Sequence, residues 1–115
     1  MISRNAKRLY NALSATGLKI YPIIAEEGAT PPYLTYRRTS SYVDNKDGEV
    51  VATYEVNCVT CNYADGVAQF DATLAAVEGL GDYLAAVSDN GETWQDGVVV
   101  NTMVVDLITN EESTN

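Results

Sequence analysis

EVVATYEVNCVT, residues 49–60, runs straight into CNYADGVAQFDATLAAVEGLGDYLAAV, residues 61–87, and the reading of this stretch decides the fold. Side chains alternate across a strand. The even positions Val50, Ala52, Tyr54, Val56, Cys58 and Thr60 are more apolar than Val51, Thr53, Glu55, Asn57, Val59 and Cys61. The first segment therefore reads as a strand with its even face buried. In the second, Val67, Phe70, Leu74, Val77, Gly81 and Leu84 recur by threes and fours, the stripe of an amphipathic helix. Asp65 offers an N-cap carboxylate. The spacing predicts a helix from Asp65 to Val87, about 33 Å long, which would cover a small sheet.

Working outward, Ile2, Ala6, Leu9, Tyr10 and Leu13 have helical spacing, with Ser3 as a cap and Gly17 past the end, so a helix is expected from Arg4 to Ala15. Leu18 to Ile24 reads as a short strand, held to an edge or an end by Pro22. Ala25 to Pro32 is a loop. Tyr33 to Val43, rich in Tyr and Thr, is the next strand, and the turn 44–48 joins it to the central strand as an antiparallel hairpin. Beyond the long helix, Ser88 to Gly91 reads as its end and Trp94 as part of a polar connection. Val98 to Ile108 is a last strand, apolar on both faces, which calls for a central position or a partner. Residues 111–115 are a polar tail. Gly79 and Gly81 fall inside the expected helix, where each costs about 1 kcal/mol relative to Ala, and they mark a bend or a close approach of another backbone.

The chain has 115 residues, which suits one domain, 1–115, able to bury about 65% of its unfolded surface. No run is long and apolar enough to span a bilayer, and Met1 to Leu9 shows no signal-peptide core. The net charge of −9 is unevenly placed. Residues 1–46 hold all seven bases against three acids, a net of +4, and residues 47–115 hold thirteen acids and no base. Specific nucleic-acid binding by the acidic part is disfavoured, because phosphate contacts need positive charge. Arg4, Lys7 and Arg8 stand near the positive end of the first helix, where cations are mildly unfavourable. They are either tolerated by solvation or matched to an acidic surface. Asp71, Glu78 and Asp82 share one flank of the long helix with no base three or four residues away.

Few residues point to chemistry. The absence of histidine removes Ser-His and Cys-His nucleophile systems and the commonest transition-metal ligand. Cys58 and Cys61 have C-x-x-C spacing, but residues three apart on a strand face opposite ways, so core packing is the better reading and neither a metal nor a disulfide is expected. The segment 44–48 lacks the alternating oxygen ligands of a calcium loop. Gly79-Leu80-Gly81 lacks the third glycine of a dinucleotide fingerprint. Glu26 and Glu27 are paired carboxylates that would need a shaped pocket to act as acid and base. No cofactor is expected.

Tyr21-Pro22, the following loop, and Pro32-Tyr33-Leu34-Thr35-Tyr36 resemble the tail-completion or tail-terminator proteins of long-tailed bacteriophages. The N-terminal helix, the long helix after a central strand, and its start at Asp65-Gly66-Val67-Ala68 with Leu74 and Val77 extend the resemblance over nearly the whole chain. It implies an α+β fold, here an antiparallel or mixed sheet of about four strands packed by an N-terminal helix and one long central helix. The family usually has a further strand after the last one read here, where this sequence runs into its polar tail. It also implies a structural virion protein without enzymatic activity. Such a protein forms a homo-oligomeric ring, usually of six, that caps the tail tube and joins it to the head–neck proteins. It is assembled in the host cytoplasm, and DNA passes through its lumen without specific binding.

On this reading Arg4, Lys7, Arg8, Arg37 and Arg38 are candidates for the subunit interface. Asp71, Glu78 and Asp82 are candidates for a lumen or a basic partner. The alternatives are another neck or connector protein, a monomeric α+β binding module, and, least favoured, a carboxylate-dependent hydrolase.

Overall fold

The structure, a computed structural model, describes residues 4–44 and 49–110. The turn expected at 45–48 and the tail at 111–115 lie outside these residues. The elements are α1 (Arg4–Ser14), β1 (Lys19–Pro22), β2 (Tyr33–Asp44), β3 (Glu49–Thr60), α2 (Tyr63–Glu78), a 3-10 turn (Gly81–Tyr83), β4 (Leu84–Gln95) and β5 (Val98–Asn110). They form an α+β fold around one five-stranded mixed sheet in the order β1-β2-β3-β5-β4. β1 runs parallel to β2, and all other pairs are antiparallel.

β3 lies at the centre and behaves as its alternation demands. Ala52, Tyr54, Val56, Cys58 and Thr60 are buried, while Val51, Thr53, Glu55 and Asn57 keep part of their surface; Val59, on the odd face near the strand end, is the exception and is buried. The strand register carries the same face outward on both sides, placing Leu34 and Tyr36 of β2 and Met103, Val105 and Leu107 of β5 beside it. Both helices pack on this face. Leu9 and Leu13 of α1 and Val77 of α2 are fully buried, with Phe70 and Leu74 against them. The interior position of β5 accounts for its two apolar faces.

α2 departs from the sequence reading at both ends. Its N-cap is Asn62, whose Oδ1 accepts the Asp65 N–H at 2.8 Å while its Nδ2 donates to Asp65 Oδ2 at 3.0 Å. Asp65 thus sits at the third helical position of a reciprocal cap. The helix stops at Glu78, about 24 Å from its start. Gly79 closes the last turn, and Gly81 takes φ +59°, a conformation that leaves the helix. Leu84 and Val87 consequently belong to β4. Val67, expected in the stripe, is exposed, and Gly66 is buried in its place. A Cβ on Gly66 would lie 2.5 Å from Asn101 Oδ1 and 3.1 Å from Thr60 Oγ1, so its bare backbone lets α2 approach the sheet closely.

β4 is the strand the sequence reading missed, and with it the sheet has five strands rather than about four. Trp94 lies within it, 67% exposed, and not in a connection. β4 joins β5 through Asp96-Gly97, both with positive φ (52° and 80°), the two-residue turn that matches strand twist.

Cys58 and Cys61 are both free. Cys58 is buried on the helix face and its Sγ lies 3.5 Å from Thr73 Oγ1. Burial pushes its thiol up to about 11, and the Thr73 hydrogen bond offsets part of that rise. Cys61 lies past the end of β3 in the bend before α2, not within the strand as the sequence reading had it, and is exposed.

Candidate functional site

Among the described residues, the second face of the sheet carries no helix. It is built from the alternate residues of the strands that form the core: Tyr33, Thr35 and Arg37 from β2, Thr53, Glu55, Asn57 and Val59 from β3, and Val98, Val100, Thr102, Val104 and Asp106 from β5. Register brings Thr35, Asn57 and Thr102 into one row. Thr102 Oγ1 donates to Asn57 Oδ1 at 2.6 Å, and Asn57 Nδ2 donates to Thr35 Oγ1 at 3.3 Å and Glu55 Oε1 at 3.2 Å. Arg37 Nε reaches the same carboxylate oxygen at 3.5 Å. Two rows away, Thr53 Oγ1 donates to Asp106 Oδ1 at 2.7 Å. Polar side chains thus satisfy one another across three strands, and valines flank them.

The segment after β1 folds over one side of this face. Ile23 has φ +71°, rare for a β-branched residue. The Ile24 N–H bonds Pro22 O at 2.8 Å, closing a γ-turn around Ile23. The turn leaves Ile23 and Ile24 71% and 77% exposed. With the Gln95–Asp96 end of the β4–β5 hairpin on the far side, they wall a trough of about 750 Å³ whose floor includes Glu55, Asn57, Val100 and Thr102. Glu26 reaches this trough too, and Glu27 lines a smaller neighbouring hollow.

Chemically the trough offers hydrogen-bonding and apolar surface. The threonine hydroxyls have no imidazole to activate them, and Glu55 is engaged by Asn57 and Arg37. Among the described residues no three His, Cys, Asp or Glu are placed to share a metal ion. No described helix is long and apolar enough to cross a membrane.

The candidate cations are distributed rather than gathered. Arg4 opens α1, and Lys7 is exposed on it. Arg8 lies over the Tyr83 ring at 3.9 Å, so its charge already has a cation–π contact within the chain. Arg37 stands on the open face, where its pairing with Glu55 is half exposed and worth at most about 1 kcal/mol. Arg38, next along β2, turns to the helix side beside Tyr54 and is exposed. Of the acids, Asp71 and Glu78 are exposed on α2, two turns apart. Asp82 lies in the 3-10 turn, so the three do not share one helical flank.

Sequence reasoning missed Asp89 and Glu92, which stand on β4 at the sheet edge. Asp96-Gly97 between two apolar-bearing runs was the signal that could have found that strand. No family model matches the chain, and no curated protein matches it at a significant level.

Proposed function

We propose that this chain is a structural subunit that assembles with copies of itself into a ring, of the kind that caps a phage tail tube and joins it to the head–neck complex. The observation that carries the proposal is the one-sided sheet. Helices bury one face, while the other holds an internally satisfied polar ladder flanked by valines and rimmed by exposed isoleucines. A surface that is ordered, partly apolar and uncovered is suited to contact with another protein. A ring larger than a dimer uses two different patches on each subunit, and a chain with opposite charge in its two parts is suited to that arrangement.

The resemblance in Tyr21-Pro22 and in residues 32–36 supplies the virion context. The fifth strand, β4, lies ahead of the last strand in the chain, so it is not the further strand that the resemblance implies after it. In this reading the protein has no enzymatic activity and acts at the tail–neck junction, between tail-tube and head–neck proteins. Asp71, Glu78 and Asp82 face a lumen or a basic neighbour, where carboxylates would repel passing DNA and keep it from sticking.

Negative-stain microscopy of the purified chain tests the proposal. Rings of uniform diameter are expected, alone or stacked. The trough also favours a second reading, a monomeric binding module that takes an extended segment on its open face. Uniform small particles at every concentration would select that reading instead.

A further inference from the structure

Among the described residues the two ends of the sheet are unpaired edges, one starting with two arginines and the other bearing two acids. β1 pairs only with Tyr33–Tyr36 of β2. The Ile23 N–H then bonds Tyr36 O at 2.7 Å, and the positive φ at Ile23 turns the chain away. From Arg37 to Asp44 the outer side of β2 therefore has no neighbouring strand among the described residues. At the other end, β4 pairs with β5 alone over Leu84–Gln95. The β2 edge begins with Arg37 and Arg38, whereas β4 carries Asp89 and Glu92 and no base.

We infer that neighbouring copies join edge to edge, the free half of β2 in one copy adding to β4 of the next, with Arg38 set against Asp89 and Glu92. The inference rests on the ring reading above and specifies its interface. Three features of the fold agree on it. Rotation about a ring axis keeps the strand sense and the sheet face. β2 and β5 run one way and β3 and β4 the other, so β4 meets the next β2 antiparallel, the more stable pairing.

Faces match as well as directions. Asp89 pairs with Met103 and Glu92 with Asn101, which places both acids on the helix side of the sheet, the side to which Arg38 turns. Finally, each carboxylate makes one bond at home, Asp89 Oδ1 to the Gly91 N–H and Glu92 Oε2 to Asn101 Nδ2. Their remaining oxygens can accept the planar fork of an arginine. Register irregularities interrupt both edges, near Thr39 and at residues 90–91, leaving short regular runs. Such interruptions suppress indiscriminate edge pairing, so the charges select the partner.

The test mixes two chains with one exposed cysteine each, Ser40→Cys and Ser88→Cys, both also carrying Cys61→Ser and keeping buried Cys58, under ring-forming conditions with a short bis-maleimide. Cross-links between positions 40 and 88 are expected in excess over 40–40 and 88–88. Amide exchange in residues 37–44 and 86–95 should slow about tenfold or more on assembly. Arg38→Glu should lower assembly, and adding Glu92→Arg to the same chain should restore it. Rings that form without the 40–88 cross-link, with both edges exchanging as in the dilute chain, would overturn the edge pairing while leaving the ring reading intact. So would undiminished assembly of Arg38→Glu. A chain that never assembles would overturn both.

Discussion

The two faces of this sheet come from the same strands and obey opposite rules. On the helix side, Leu34, Tyr54, Val56, Met103 and Val105 are closed off from water and packed by α1 and α2. One residue along each strand lies a second face that carries no helix among the described residues: Thr35 and Val59 are buried there, while Asn57, Thr102 and Val104 keep part of their surface, and Thr35, Asn57 and Thr102 share hydrogen bonds. The first face explains why the chain folds. The second contributes less, through buried Val59 and Thr35, and its part-exposed valines and exposed isoleucines are suited to contact surface.

The largest expected difference between the faces lies in stability. Leu34→Ala should cost about 2–5 kcal/mol in urea unfolding, because it opens a cavity in a fully buried site. On the open face, Val104→Ala should change the dilute monomer by less than about 1 kcal/mol. Equal costs would mean that the open face is a second core.

Alkali gives the next effect. Cys58 holds its proton up to about 11 in the folded chain, against an ordinary value of 9.0. Below pH 9 the thiol is neutral in both states and its contribution is complete. Between 9 and 11 the unfolded chain ionises first, so about 2–3 kcal/mol of stability should be lost as pH rises through the folded value. Unfolding curves across this range should show the loss, and Cys58→Ala should flatten it. In the same protein at neutral pH, a thiol reagent should label exposed Cys61 promptly and Cys58 only on unfolding.

Gly66→Ala should follow, at about 1–3 kcal/mol, since the added methyl meets the buried Asn101 carboxamide, which Glu92 holds in place. A small effect on the monomer is expected from Asn57→Ala. It removes three hydrogen bonds from a half-exposed surface and should cost about 1 kcal/mol, yet it should weaken assembly measurably if that surface is a contact.

How much of this could be read from the sequence follows from what each residue must satisfy locally. Strict alternation from Val50 to Thr60 identified the buried face of β3, because a one-residue slip would expose all of it. α1, β2 and β5 were legible for similar reasons. β4 was not. Leu84, Val87 and the alanines between them continue a helical stripe, and that periodicity outweighed Gly79 and Gly81, which end α2. The true cap was obscured in the same way, since Asn62 and Asp65 are both good capping residues and only geometry shows which comes first.

For the candidate site, charge segregation was visible, but the gathering of Thr35, Asn57 and Thr102 was not. It depends on register between strands about 45 residues apart. The C-x-x-C spacing misled only in detail, since Cys61 falls past the end of the strand.

The central claim is that the uncovered part of this molecule exists to meet copies of itself, and solution mass tests it most directly. Light scattering of the purified chain at low salt, over a wide concentration range, should give one discrete multiple of the 12.4 kDa protomer. That mass should fall as salt approaches 1 M, where the Debye length shrinks to about 3 Å. Reversing Arg37 and Arg38 should lower it while leaving the circular-dichroism spectrum nearly unchanged. A mass of one protomer at every concentration and salt would contradict the account.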